Sequence, residues 1–171
     1  VAAESVDGTV YVVVSRAFVE QLKREYALGA LFISMGGPAP GSYRGYSFHL
    51  GDVVGERLQL DFRSAAKAWD EFYKSDLGRK ILEVSPTLPT VSITVTLYKG
   101  DMECIALYTY NAIDYFVERG LPLPDAMKKA GEDPLAHLRR PLVIVLKPKM
   151  PRGEVKVECV DLSPILEELK R

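Results

Sequence analysis

The residues best placed to do chemistry lie between Ser34 and Gly55, where six of the thirteen glycines fall beside Pro38 and Pro40. A phosphate cradle is the first chemistry to test. Gly36 and Gly41 have the four-residue gap of a P-loop, but Ser42 stands where that loop needs lysine. Pro38 and Pro40 also remove two of the backbone N–H donors that would hold a phosphate. The residues after Ser42 are strand-like, so no helix N-terminus faces an anion. Nucleotide binding of this kind is excluded.

General acid–base chemistry has one weak candidate, His49, with Ser47 and Asp52 close in sequence. On one strand Ser47 and His49 stand side by side rather than as an oriented triad. Asp101 and Glu103 flank a turn, and Asp70-Glu71 and Glu167-Glu168 read as solvated helix faces, so no carboxylate pair spans a site. Cys104 and Cys159 sit in strand-like runs and read as two buried thiols, with a disulfide pinning two strands as the lesser alternative. Together with His49 and His137 they lack zinc spacing. Neither metal nor cofactor is expected.

Charge offers a second kind of site. Between Arg139 and Lys156 stand six basic residues and one acid, Glu154. Arg139, Arg140, Lys147, Lys149 and Arg152 could converge at a hairpin tip, where phosphate contacts would make affinity fall steeply with salt. The plainer reading is a solvated hairpin end. The chain as a whole has a net charge of −1 and is no general attractor of polyanions.

At Arg44-Gly45-Tyr46-Ser47-Phe48 the chain resembles the first ribonucleoprotein signature of RNA-recognition-motif domains, where a basic residue and glycine precede two aromatics on the third strand. Val10-Tyr11-Val12 is similar to that family's first-strand signature. Residues 64–72 and 77–81 are similar to its second helix and the approach to its last strand. The resemblance implies a base-stacking platform of Tyr11, Tyr46 and Phe48, with Arg44 on phosphate. Ser47, His49 and Gly51 depart from the family pattern, and a further strand-like run at 57–62 precedes the helix. Alternation sends Tyr46, Phe48 and Leu50 one way and Ser47 and His49 the other. If the first set faces the core, nothing is left to stack bases, and this core-facing arrangement is the preferred one. Residues 65–82 also bear a likeness to dimeric α+β-barrel monooxygenase-like proteins, which carries no catalytic residue over.

The elements that must hold these residues follow from periodicity. Residues 9–15 are continuously apolar and β-branched, as in a central strand buried on both faces. Ser15 caps a helix that buries Phe18, Leu22 and Tyr26 and stops at Gly29. Strands are expected at 30–34, 43–50 and 57–62, and Ser64 caps a helix over 65–84 that breaks near Ser75 and Gly78. Val91, Ile93, Val95 and Leu97 alternate with Ser92, Thr94, Thr96 and Tyr98, which predicts one core face and one polar face. Lys99-Gly100-Asp101 turns that strand into its partner at 102–110. Asn111 caps a helix that ends at Gly120, and residues 125–140 form an interrupted helix. Residues 142–147 and 155–160 make a last hairpin, and Ser163-Pro164 opens a terminal helix.

The order predicts an α+β protein, with a ferredoxin-like βαββαβ unit over residues 1–98. A hairpin-rich α/β extension over 99–171 packs on the same core, giving one compact body. A chain of 171 residues with 47% hydrophobic and 26% charged content is long enough and apolar enough to bury a full core. Its apolar runs fall short of a membrane span, so a cytoplasmic location is expected, although the start at Val1 leaves a removed leader open. One Asn and two Gln against 22 basic and 23 acidic residues is the hyperthermophile pattern.

The function expected on these grounds is a non-catalytic binding module of a thermophile, with nucleic acid slightly ahead of protein as partner. A small-molecule enzyme of dimeric α+β-barrel-like topology, with His49 as acid–base residue, is one alternative. A self-assembling structural protein is another.

Overall fold

Two β-sheets share the chain by turns, and helical residues make most of the crossings between them. The computed structural model describes residues 6–36, 43–53, 55–84, 88–147 and 157–170. In order, the first elements are β1 (Thr9–Val14), α1 (Arg16–Glu25), β2 (Leu28–Gly36), β3 (Arg44–His49) and β4 (Arg57–Asp61). Then come α2 (Arg63–Lys74), α3 (Asp76–Val84), β5 (Thr90–Lys99) and β6 (Met102–Tyr110). The chain closes with α4 (Ala112–Glu118), α5 (Leu123–Glu132), β7 (Leu142–Leu146), β8 (Val157–Asp161) and α6 (Ser163–Leu169). Short 3₁₀ turns, Leu50–Asp52 and Ala136–Leu138, precede β4 and β7.

Local chemistry sets the helix ends. The Ser15 hydroxyl accepts from the Phe18 N–H at 3.2 Å and starts α1. Asn111 and Asp114 form a reciprocal capping box at the start of α4. The break expected after α2 lies at Ser75, whose hydroxyl donates to Phe72 O and accepts from the Gly78 N–H. Gly78 is required there, because a Cβ would collide with the Phe72 carbonyl oxygen. Gly29 does not stop α1, which ends at Glu25. It lies in β2, where a Cβ would meet Leu50 Cδ1 at 2.5 Å and Leu97 Cδ2 at 3.0 Å.

The molecule is an α+β protein with strand orders β4-β1-β7 and β3-β2-β5-β6-β8. The strands that a ferredoxin-like unit would hold in one sheet are therefore divided. β1 pairs with β4 antiparallel and β7 parallel, whereas β2 pairs with β3 and β5. Both sheets and helices α1 and α2 contribute to one apolar core around Val12, Ile33, Ile93, Ile144 and the fully buried Trp69. Trp69 stacks on Tyr73 at 5.2 Å, and its truncation to alanine would cost about 3–5 kcal/mol.

Three expectations are corrected by the pairing. β1 is central but buried on one face only, because its outward Thr9, Tyr11 and Val13 are half-buried. β7 and β8 form no hairpin: Leu142, Ile144 and Leu146 lie beside Val10, Val12 and Val14, while β8 joins β6 at the edge of the larger sheet. Cys104 and Cys159 are a disulfide rather than two thiols, since the β6–β8 register sets them directly opposite each other.

Candidate functional site

Tyr46 and Phe48 point inward from β3. Both are half-buried against the core, while Ser47 and His49 on the other side of the strand are exposed. The Tyr46 hydroxyl donates to Asp61 O at 2.9 Å, and its ring meets Phe62 edge-on at 5.5 Å. Tyr11 belongs to the other sheet, on its outward face, under the Arg57 guanidinium at 3.9 Å. Arg44 is exposed and reaches the Ser64 hydroxyl at 3.5 Å. The three rings are thus divided between two sheets and form no single platform.

Of the basic cluster, Arg139, Arg140 and Lys147 are among the described residues. Arg139 forms an ion pair with Asp133 at 2.8 Å inside a cavity of about 520 Å³ between α2–α3 and the end of α5. Lys74 and Arg79 line the same cavity and are bonded to Asp70 and Asp76. Arg140 and Lys147 are exposed, and Lys149 and Arg152 lie outside the described residues.

His49 closes a cavity of about 320 Å³ between the end of α1 and the 3₁₀ turn, beside Lys23, Tyr26 and Asp52. The second histidine, His137, is buried, and burial pushes it down to about 3. Neither of its ring nitrogens has a hydrogen-bond partner among the described residues, and the Tyr110 ring lies 6.2 Å away. Tyr110 donates to Glu118 at 2.5 Å, and burial first, then that carboxylate, hold its hydroxyl well above the usual range. Among the described residues no cluster of His, Cys, Asp or Glu is placed to hold a metal, and no helix is long and apolar enough to cross a membrane.

Sequence reasoning missed a continuous surface, the outward face of the larger sheet. Reading across its strands, one row is His49-Ala30-Thr96-Ile105-Glu158 and the next is Ser47-Phe32-Thr94-Leu107. Flanking rows are Leu28-Tyr98-Glu103-Val160 and Gly45-Ser34-Ser92-Thr109. Every residue in these rows is half-buried or exposed, and Leu28, Leu107 and Val160 are each more than half exposed. None of the rows contains lysine or arginine. The polar half of the β5 alternation was the available signal; that none of the described helices covers it is a tertiary fact.

No protein-family model matches the chain, and neither the curated proteins nor the solved structures contain a match to it.

Proposed function

We propose that this protein is a non-catalytic binding module that works through the open face of its five-stranded sheet, and that its partner is a second copy of the chain. The observation that carries this reading is the composition of the face: short hydroxyls, exposed aliphatics and the Phe32 and Tyr98 rings, with carboxylates but no lysine or arginine in its described rows. Such a surface does not attract nucleic acid, whose recognition begins with phosphate neutralisation. It suits an apolar protein surface.

Size and complementarity favour self-association. Five strands about 4.8 Å apart and four rows of side chains give a face on the order of 500 Å². Two such faces bury about 1,000 Å², the lower bound of a specific interface. A dyad lying between the copies and running along β5 would place β2 over β6 and β3 over β8. Phe32 then meets Leu107, Ala30 meets Ile105, and the His49 imidazole offers an N–H to Glu158, each pair occurring twice. A dyad across the strands would instead stack β8 on β8, bringing Glu158 close to its own copy. The strand-parallel dyad is the better match.

Sedimentation velocity across a concentration series tests the proposal. A reversible dimer is expected in the micromolar range, and a strictly monomeric chain at millimolar concentration would remove self-association.

One observation favours a second reading, a small-molecule enzyme: the cavity that sets His49 beside Lys23, Tyr26 and Asp52. An activity undiminished in His49→Ala would remove it.

A further inference from the structure

The Cys104–Cys159 bridge lies on the inward side of the larger sheet, away from the open face, and its two sulfurs live in different surroundings. Cys104 is 2% exposed, whereas Cys159, on the edge strand, is exposed to solvent. Among the described residues β8 pairs with β6 alone, and α6 beyond it buries none of its residues. Beside it opens a groove of about 770 Å³ lined by both cysteines, Met102, Tyr26, Glu25, Arg24 and Lys99. Two cations and one carboxylate line this groove, Glu25 is within 3.5 Å of the Gln21 amide, and the nearby Asp161 carboxylate is held by the Ser163 hydroxyl and N–H.

We propose that this bridge is a thiol–disulfide exchange site for a small thiol carrying carboxylates. The attacking species in exchange is a thiolate, and the two cations of the groove raise its local concentration. Arg24 and Lys99 hold the carboxylates while the thiolate attacks the exposed Cys159 sulfur. The bond from Cys159 to Cys104 breaks, and Cys104 leaves as a thiolate into the groove that it lines, where it takes a proton from water. A second thiol, also as thiolate, attacks the mixed disulfide at the incoming sulfur, releasing the small disulfide and Cys159, which is protonated in turn. Two small thiols supply the two electrons, and the protein gains two thiols.

The test uses the full oxidised chain in native buffer at low salt, with reduced glutathione as the anionic thiol and cysteamine as the cationic one. Loss of the bridge is followed by mass after alkylation, with each rate scaled to its thiolate concentration. Glutathione should react at least about tenfold faster, and the preference should collapse in about 0.5 M salt, where charges are screened within a few ångströms. Arg24→Glu combined with Lys99→Glu should reverse the preference, and Cys104→Ser, given oxidised glutathione instead, should accumulate a glutathione adduct on Cys159 with release of one reduced glutathione per adduct. Equal scaled rates for the two thiols would overturn the proposal. So would a bridge that resists both until the chain unfolds, as reported by Trp69 fluorescence.

Discussion

On the outward face of the three-stranded sheet the Arg57 guanidinium covers the Tyr11 ring, and at its rim Asp61 accepts the Arg63 N–H groups. The side-chain bond first, and the backbone bond second, hold the Asp61 carboxyl below its ordinary range. Long side chains can lie flat over their neighbours, so this sheet finishes its own surface. The outward face of the five-stranded sheet has Ser, Thr and Ala in its middle, with Phe32, Ile105 and Leu107 among them. The Phe32 ring lies across Gly45, but the short side chains leave Ile105 and Leu107 open. A face bare of helices is therefore not by itself a site. What counts is whether its own side chains can close it.

The largest effect expected concerns the edge of the open sheet. Cys104 and Cys159 are 55 residues apart, and in the chain-entropy account a bridge of that span contributes about 4 kcal/mol. Replacing both with serine should lower the unfolding free energy measured in urea by that much, and a change below about 1 kcal/mol would mean that the β8 edge is held by its ladder alone.

Acid should act on the other sheet. His137 precedes β7, with a folded value of about 3 against about 6.5 when unfolded. Between these values the unfolded chain binds a proton that the folded chain refuses. Stability is therefore full above about pH 6.5 and falls with pH through the window down to about 3, by about 2 kcal/mol between pH 7 and 5. His137→Leu should flatten this slope in thermal melts.

Leu107 and Val143 are 58% and 50% exposed, one on each outward face, and so form a matched pair. Leu107→Lys should raise the dimer Kd at least about tenfold, equivalent to about 1.4 kcal/mol, whereas Val143→Lys should leave it unchanged. Equal effects would erase the distinction between the faces. The smallest change belongs to the closed face. Arg57→Ala should cost about 0.5–1 kcal/mol of monomer stability, seen as a shift in denaturation midpoint, without affecting association.

Features set by residues within a few positions of one another were legible from sequence. The Ser15 and Asn111 caps, the break at Ser75 and Gly78, and the β5–β6 hairpin all depend on local hydrogen bonds and steric fit. Partner choice was not legible. The alternation of Leu142, Ile144 and Leu146 suits β8 or β1 equally well, and the choice depends on which apolar face has room beside it. The same limit applies to the site. Alternation put Tyr46 and Phe48 on one side of β3 and Ser47 and His49 on the other, yet which side met the core was decided by Phe62 and the rest of the interior.

In the proposed dimer β3 lies over β8, and a charge exchange at His49 and Glu158 probes that contact. His49→Glu and Glu158→Lys should each raise the dimer Kd by about threefold or more in sedimentation equilibrium, since each sets two like or mismatched groups against each other. The double variant restores both pairs and should return the Kd to within about twofold of the parent. Single variants without effect, or a double variant that is simply the sum of the two losses, would contradict the arrangement.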